Sequence, residues 1–227
     1  MSNQTTGLMV RIWDLWIRTF HWTLATSITF LLISGNTGFL FIEWHRRIGE
    51  FVLLLIVFRI LWGFLGSSNS RLLTLFAHPL RAFAHLKHLL SGKVPQERGH
   101  NAAGGWAVIA MLLLIAFQAV SGLFIADEDE LVEGVFYGAI DYDLSEQLLD
   151  LHHLNAELLM VLVGVHVLMV LLYLIRAGQN LITPMISGHM RWLDSTTPPT
   201  VRFVSNWIGL VLIATCAVFI AWMLGWY

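Results

Sequence analysis

Residues 151–175 read LHHLNAELLMVLVGVHVLMVLLYLI, a run with no Lys, Arg or Asp and with Glu157 as its single acid. The hydrocarbon core of a bilayer, about 30 Å thick, is crossed by about 20 apolar residues in a helix, so this stretch reads as a membrane span. His152 and His166 are fourteen residues apart in it. On a helix that spacing leaves them only about 40° apart around the axis and about 21 Å apart along it, so they share a face at two depths. His153 is turned about 140° from His166, which makes it the poorer partner in a common interior, although a local rotation where the helix starts would put it in the place of His152.

Four more apolar runs qualify as spans: roughly Phe20 to Ile42, Ile48 to Leu65, Gly105 to Ala126 and Phe203 to Trp226. Gly35 and Gly38 weaken the outer end of the first. The composition agrees, with 57% hydrophobic and 12% charged residues and a mean hydropathy of +0.70, far from an ordinary soluble domain. The first run is followed by further spans and lacks a small-residue cleavage pattern, so it reads as a retained span and not a removed signal peptide. A net charge of −2 supports no nucleic-acid partner; lipid is the surrounding solvent. The single cysteine, Cys216, lies in an apolar run, which leaves no disulfide framework, thiolate zinc site or CxxCH attachment for covalent haem.

Basic residues set the sidedness. Arg11, Arg18, Arg71, Arg81, Lys87, Lys93, Arg98, Arg176, Arg191 and Arg202 fall on the side of the N-terminus, with Arg59 near it, and only Arg46 and Arg47 fall opposite. By the positive-inside rule the N-terminus is cytoplasmic and the C-terminus, after five spans, periplasmic, in a bacterial inner membrane. Asp127 to Asp150 holds nine of the fifteen acids and no Lys or Arg. That periplasmic loop is either a solvated connection or a negative surface steering a basic partner. The stretch His78 to Leu90, with Arg81, Lys87 and three histidines among Leu80, Phe83, Leu86 and Leu89, suits a helix lying on the cytoplasmic membrane surface.

An intramembrane ionisable residue is costly and is a functional candidate by default. A lone histidine in such a helix is more often a hydrogen-bonded packing residue than a ligand, but here the histidines pair by depth. His21 opens the first span on the cytoplasmic side, where His166 lies in the inward-running fourth. His45 opens the second on the periplasmic side, where His152 opens the fourth. Two cross-helix pairs at two depths are what two six-coordinate haems need, one imidazole on each face of each iron. A bare metal ion would more plausibly gather three ligands and a carboxylate at one depth. Arg46 and Arg47 could pair with haem propionates or simply snorkel to the interface, and Arg59 invites the same two readings. Trp13, Trp16, Trp22, Trp44, Trp62, Trp106, Trp192 and Trp226 lie mostly near span ends, as in an aromatic belt.

The chain resembles the bacterial cytochrome b561 family, which includes the b-type cytochrome subunits of nickel-iron hydrogenases. The resembling elements are Val10-Arg11-Ile12-Trp13-Asp14, Arg18-Thr19-Phe20-His21-Trp22, His45-Arg46-Arg47-Ile48-Gly49, Phe58-Arg59-Ile60-Leu61-Trp62-Gly63-Phe64, Gly99-His100-Asn101, Gly104-Gly105-Trp106, and His152 with Val163-Gly164-Val165-His166. The resemblance implies a di-haem domain over residues 1–190 with a four-helix transmembrane core, to which residues 191–227 add a linker and a fifth helix. It implies two haem b groups with His21, His45, His152 and His166 in the ligand positions. It also implies that His100 is a recurrent residue but not an axial ligand, contacting a propionate or a quinone. The function it implies is electron exchange between the quinone pool and a partner redox protein.

The expected fold is therefore an all-α membrane protein, and the expected function transmembrane electron transfer between quinone and a periplasmic c-type cytochrome or enzyme subunit; a homodimer is allowed. A rival from the enzyme class, superoxide oxidation coupled to quinone reduction as in some family members, favours a basic entry near the periplasmic haem, where this loop is acidic. A haem-free transporter with histidine proton relays is the third reading, and pairing at two depths speaks against it.

Overall fold

The computed structural model describes residues 7–37, 41–76, 80, 96–97, 99–127, 132–192 and 200–226. Helices with described bounds are α1 Leu15–Ser34, α2 Ile42–Leu65, α3 Ala102–Ser121, α4 Tyr142–Arg176, the short α5 Ile182–Ser187 and α6 Asn206–Leu224. Two short antiparallel pairs accompany them. Strand β1, Leu8–Arg11, pairs with β4, His189–Trp192, in the register Leu8↔Trp192 to Arg11↔His189. Strand β2, Ala126–Asp127, pairs with β3, Val132–Glu133. Four helices, α2, α3, α4 and α6, are long and apolar enough to cross a membrane. Helix α1 has 20 residues, but Arg18, His21 and the hydroxyls of Thr19, Thr23, Thr26, Ser27 and Thr29 make it more polar.

Helix ends depart from the apolar runs where side chains can satisfy terminal backbone groups. The first run is not continuous from Phe20 to Ile42: α1 stops at Ser34. Asn36 Nδ2 folds back onto the Leu32 carbonyl at 2.7 Å and Thr37 Oγ1 onto that of Ser34 at 3.2 Å. Helix α2 then starts at Ile42 instead of Ile48, because charged Glu43, Arg46 and Arg47 pair along its first turns and are as compatible with helix as apolar residues. Helix α3 is opened by Asn101, whose Oδ1 accepts from the Gly104 amide at 2.7 Å. The acidic stretch from Asp127 to Asp150 is not loop throughout: it holds the β2–β3 pair, and α4 already begins at Tyr142. The expected surface helix from His78 to Leu90 lies, Leu80 apart, outside the described residues.

The chain forms two compact units, one of residues 1–19, 61–109 and 165–209, the other of 20–60, 110–164 and 210–227. In the first, Asp14 is buried at the start of α1 and is the N-cap of that helix. One oxygen accepts the Ile17 amide at 2.8 Å, and the other accepts Ser70 Oγ at 2.6 Å and the Trp62 indole at 3.3 Å. Asn69 Nδ2 adds a bond to the Ile12 carbonyl at 2.9 Å. Trp16 donates to the Asn206 carbonyl at 3.0 Å, and its indole lies so close to Gly209 that a Cβ there would come within 2.1 Å of Nε1. Only glycine admits that approach. In the second unit the other end of α6 is tied: Trp226 Nε1 donates to Glu50 Oε2 at 2.7 Å, and Arg46 Nη1 holds Glu50 Oε1 at 2.6 Å. Strand β4 spans residue 190 and pairs with β1.

Asp14→Ala removes one acceptor from three buried donors, each costing about 1–3 kcal/mol when orphaned. The expected outcome is a clearly lower melting temperature of the detergent-solubilised protein, with Asp14→Asn, which keeps one acceptor oxygen, falling between the variant and the wild type.

Candidate functional site

In the second unit α2 and α4 bring His45 and His152 together, with ring centroids 6.5 Å apart and ring planes at 60°. Both rings are half-buried, whereas His153, whose ring lies 6.4 Å from that of His152, is exposed. Each imidazole of the pair is held on its Nδ1 side by a serine at the end of another helix. Ser34 Oγ of α1 is 2.9 Å from His45 Nδ1, and Ser121 Oγ of α3 is 2.9 Å from His152 Nδ1. The residue after each serine is a glycine. A Cβ on Gly35 would stand 3.2 Å from His45 Cε1, and one on Gly122 would stand 3.4 Å from His152 Cε1. The backbone at His152 is further fixed by Gln118, whose Nε2 donates to the His152 carbonyl at 3.1 Å. Asn155 Nδ2 in turn donates to the Leu114 carbonyl at 3.0 Å and to Gln118 Oε1.

This arrangement fits two axial ligands of one iron. A metal–imidazole bond is about 2 Å long, so two rings on opposite sides of one ion have centres about 6 Å apart, close to the observed separation. With Nδ1 engaged on each ring, Nε2 is the nitrogen left to coordinate. Among the described residues no group of three or more His, Cys, Asp or Glu is placed to hold a bare metal ion. A porphyrin iron, which asks the protein for only two ligands, suits the pair better.

The other expected site residues are distributed as follows. His21 lies on α1 in the second unit, edge-on to Trp22 with centroids 5.1 Å apart. Arg59 is almost wholly buried in the same unit, with its guanidinium carbon 6.0 Å from the centroid of Phe20, the residue before His21. Arg46 and Arg47 are ion-paired on their own helix: Arg46 with Glu43 at 2.8 Å and Glu50 at 2.6 Å, Arg47 with Glu43 at 2.9 Å. These carboxylates occupy guanidinium donors that the propionate reading needs. In the first unit are His166, half-buried on α4, and His100, which meets Trp13 edge-on at 5.0 Å. Beside His100, Asn101 Nδ2 donates to the Tyr173 hydroxyl at 2.7 Å, and burial raises the carboxyl pKa of Glu97 above its ordinary value. Reasoning from sequence missed Ser34, Ser121, Gln118 and Asn155. The one available signal was a Ser-Gly dipeptide inside each of two apolar runs, at 34–35 and 121–122.

Helices that can cross a membrane and two imidazoles facing each other have the features of a membrane-embedded b-type cytochrome. The model of the prokaryotic cytochrome b561 family matches residues 12–188, and the chain belongs to that family. It is a multi-pass bacterial membrane protein, and membership implies haem b and transmembrane electron transfer. Among its relatives are probable Ni/Fe-hydrogenase B-type cytochrome subunits. That of Bradyrhizobium diazoefficiens is 24% identical, over 82% of this chain and 87% of its own length. That of Azotobacter vinelandii is 26% identical, over 82% and 90%, and that of Rhodobacter capsulatus 23% identical, over 82% of each.

Gly35→Val and Gly122→Val add branched side chains whose Cβ atoms would already stand 3.2 Å and 3.4 Å from the His45 and His152 rings, and overpacking of this kind costs about 1–3 kcal/mol. Each variant is expected to bind less haem than the wild type, measured by pyridine haemochrome assay on protein matched for amount.

Proposed function

We propose that this chain carries electrons across the bacterial inner membrane by means of two haem b groups, exchanging them between the quinone pool and a periplasmic redox partner. His45 and His152 hold one haem, and His21 and His166 the other. The observation that carries the reading is the His45–His152 pair, its rings 6.5 Å apart and each bound through Nδ1 to a serine. The second pair rests on the fourteen-residue spacing of His152 and His166 and on the place of His21 at the opposite end of the first apolar run. When bound, haem b supplies a one-electron Fe(III)/Fe(II) couple, which the protein tunes through its ligands, burial and hydrogen bonds.

The remaining roles follow from charge and placement. Arg59, buried beside Phe20, would pair with a haem propionate, and His100 would contact a propionate or a quinone. Arg46 and Arg47 reach a propionate of the other haem only by sharing donors with Glu43 and Glu50. The partner is a c-type cytochrome or an enzyme subunit; the naming of relatives as hydrogenase cytochrome subunits favours the enzyme. Basic residues clustered on the N-terminal side support a cytoplasmic N-terminus and, with five spans, a periplasmic C-terminus.

A reduced-minus-oxidised spectrum with haem quantification tests the reading on purified wild type beside single alanine variants of the four histidines. Two b-type haems are expected, with His45→Ala and His152→Ala losing the same one and His21→Ala and His166→Ala the other. A colourless wild type from haem-replete cells would overturn it. For the topology, alkaline phosphatase fused after Tyr227 should be active and the same fusion after Arg71 inactive; the reverse pattern would invert the assignment.

A further inference from the structure

Ser34 and Ser121 occupy equivalent places around the His45–His152 pair. Each is the last residue of its helix, α1 or α3, each is followed by a glycine, and each is nearly inaccessible, at 1% and 2% exposure. Each hydroxyl stands 2.9 Å from a histidine Nδ1 and also within reach of a carbonyl of its own helix, Leu31 O at 3.2 Å for Ser34 and Gln118 O at 3.1 Å for Ser121. A hydroxyl has one proton to give and two lone pairs with which to accept. The helix carbonyl can only accept, so the arrangement that makes both bonds on a ligating histidine sends the hydroxyl proton to the carbonyl and leaves the oxygen to accept from Nδ1–H.

We infer that Ser34 and Ser121 are positioning residues: through the Nδ1–H···Oγ bonds they hold both imidazoles in the tautomer that presents Nε2 to iron, and they lower the reduction potential of that haem. This rests on His45 and His152 being its ligands, as proposed above. A hydrogen bond accepted from Nδ1–H polarises the ring and makes Nε2 a stronger donor. A stronger donor favours the more highly charged ferric ion over the ferrous one, so the couple is held lower than it would be with an unassisted imidazole. The glycine after each serine works with it, since 3.2 Å and 3.4 Å are all that separate a Cβ at Gly35 or Gly122 from the Cε1 of the ring. Serine and glycine together thus locate the ring on one edge, and iron takes the other. The effect is doubled because both ligands of one haem are treated alike.

Redox titration of the haem absorbance, with electron paramagnetic resonance of the oxidised haems, tests this on full-length protein: wild type, Ser34→Ala, Ser121→Ala, Ser34→Thr and Ser121→Thr. Both alanine variants should raise the midpoint of one and the same haem. At fixed potential its reduced-to-oxidised ratio should rise about tenfold, which is about 59 mV for a one-electron couple. The second haem should titrate unchanged, and the threonine variants, which keep the hydroxyl, should stay near the wild type. Loss of that haem in the alanine variants with retention in the threonine variants supports the same role. Alanine variants that titrate as wild type, or threonine variants that behave as alanine, would overturn it. If His45→Ala and His152→Ala each keep both haems, the ligand assignment itself has failed, and that result is read from the haem count and not from a midpoint.

Discussion

A polar group placed in hydrocarbon has no water to turn to, so its hydrogen bonds must come from within the protein. An imidazole in a membrane helix is the acute case here. It has two nitrogens, only one of which can bind iron, and the other requires a partner at the same depth. In the second unit that partner is a serine hydroxyl at a helix end, once for His45 and once for His152. The helix boundaries serve this need: α1 and α3 both stop at the residue whose side chain meets a ring, and the glycine after each serine lets the backbone turn away closely beside the imidazole.

The same constraint explains the supporting contacts. Asn155 and Gln118 are two amides on different helices: Asn155 donates to Gln118 Oε1 and to the Leu114 carbonyl, and Gln118 donates to the His152 carbonyl. Asp14 and Glu50 are buried carboxylates, each with its two oxygens engaged by donors from elsewhere in its own unit. A half-satisfied network in such surroundings is worse than an apolar one, which is why truncating one member is costly. Around His45 and His152 the consequence is that each ring is located along one edge, by its serine and by the glycine that follows it, which restricts its drift.

Much of this was legible from the chain. Depth along the spans paired His45 with His152, and in the structure their ring centroids are 6.5 Å apart, with His153 exposed beside them. Span limits were less legible. Apolar runs report where lipid is tolerated, whereas helix ends are set by caps such as Asn36, Thr37 and Asn101 and by charged turns that continue a helix into water. Arg46 and Arg47 were open to both propionate pairing and snorkelling, and their ion pairs with Glu43 and Glu50 follow only once that segment is helical.

The chain by itself determined that this is a membrane protein of apolar helices and that its histidines fall at two depths along them, because hydropathy and helical phase are local properties of sequence. Only the tertiary structure decided what each ring's second nitrogen meets, which arginines are already paired, and how α6 is tied down, by Trp16 at one end and Trp226 at the other. The ties on α6 and the Ser121–His152 contact join residues 31 to 190 positions apart, which no period along the chain encodes, and the arginine pairs, three or four positions apart, form only once their segment is helical. A serine in an apolar run reads as one more small residue until the fold puts an imidazole 2.9 Å from it.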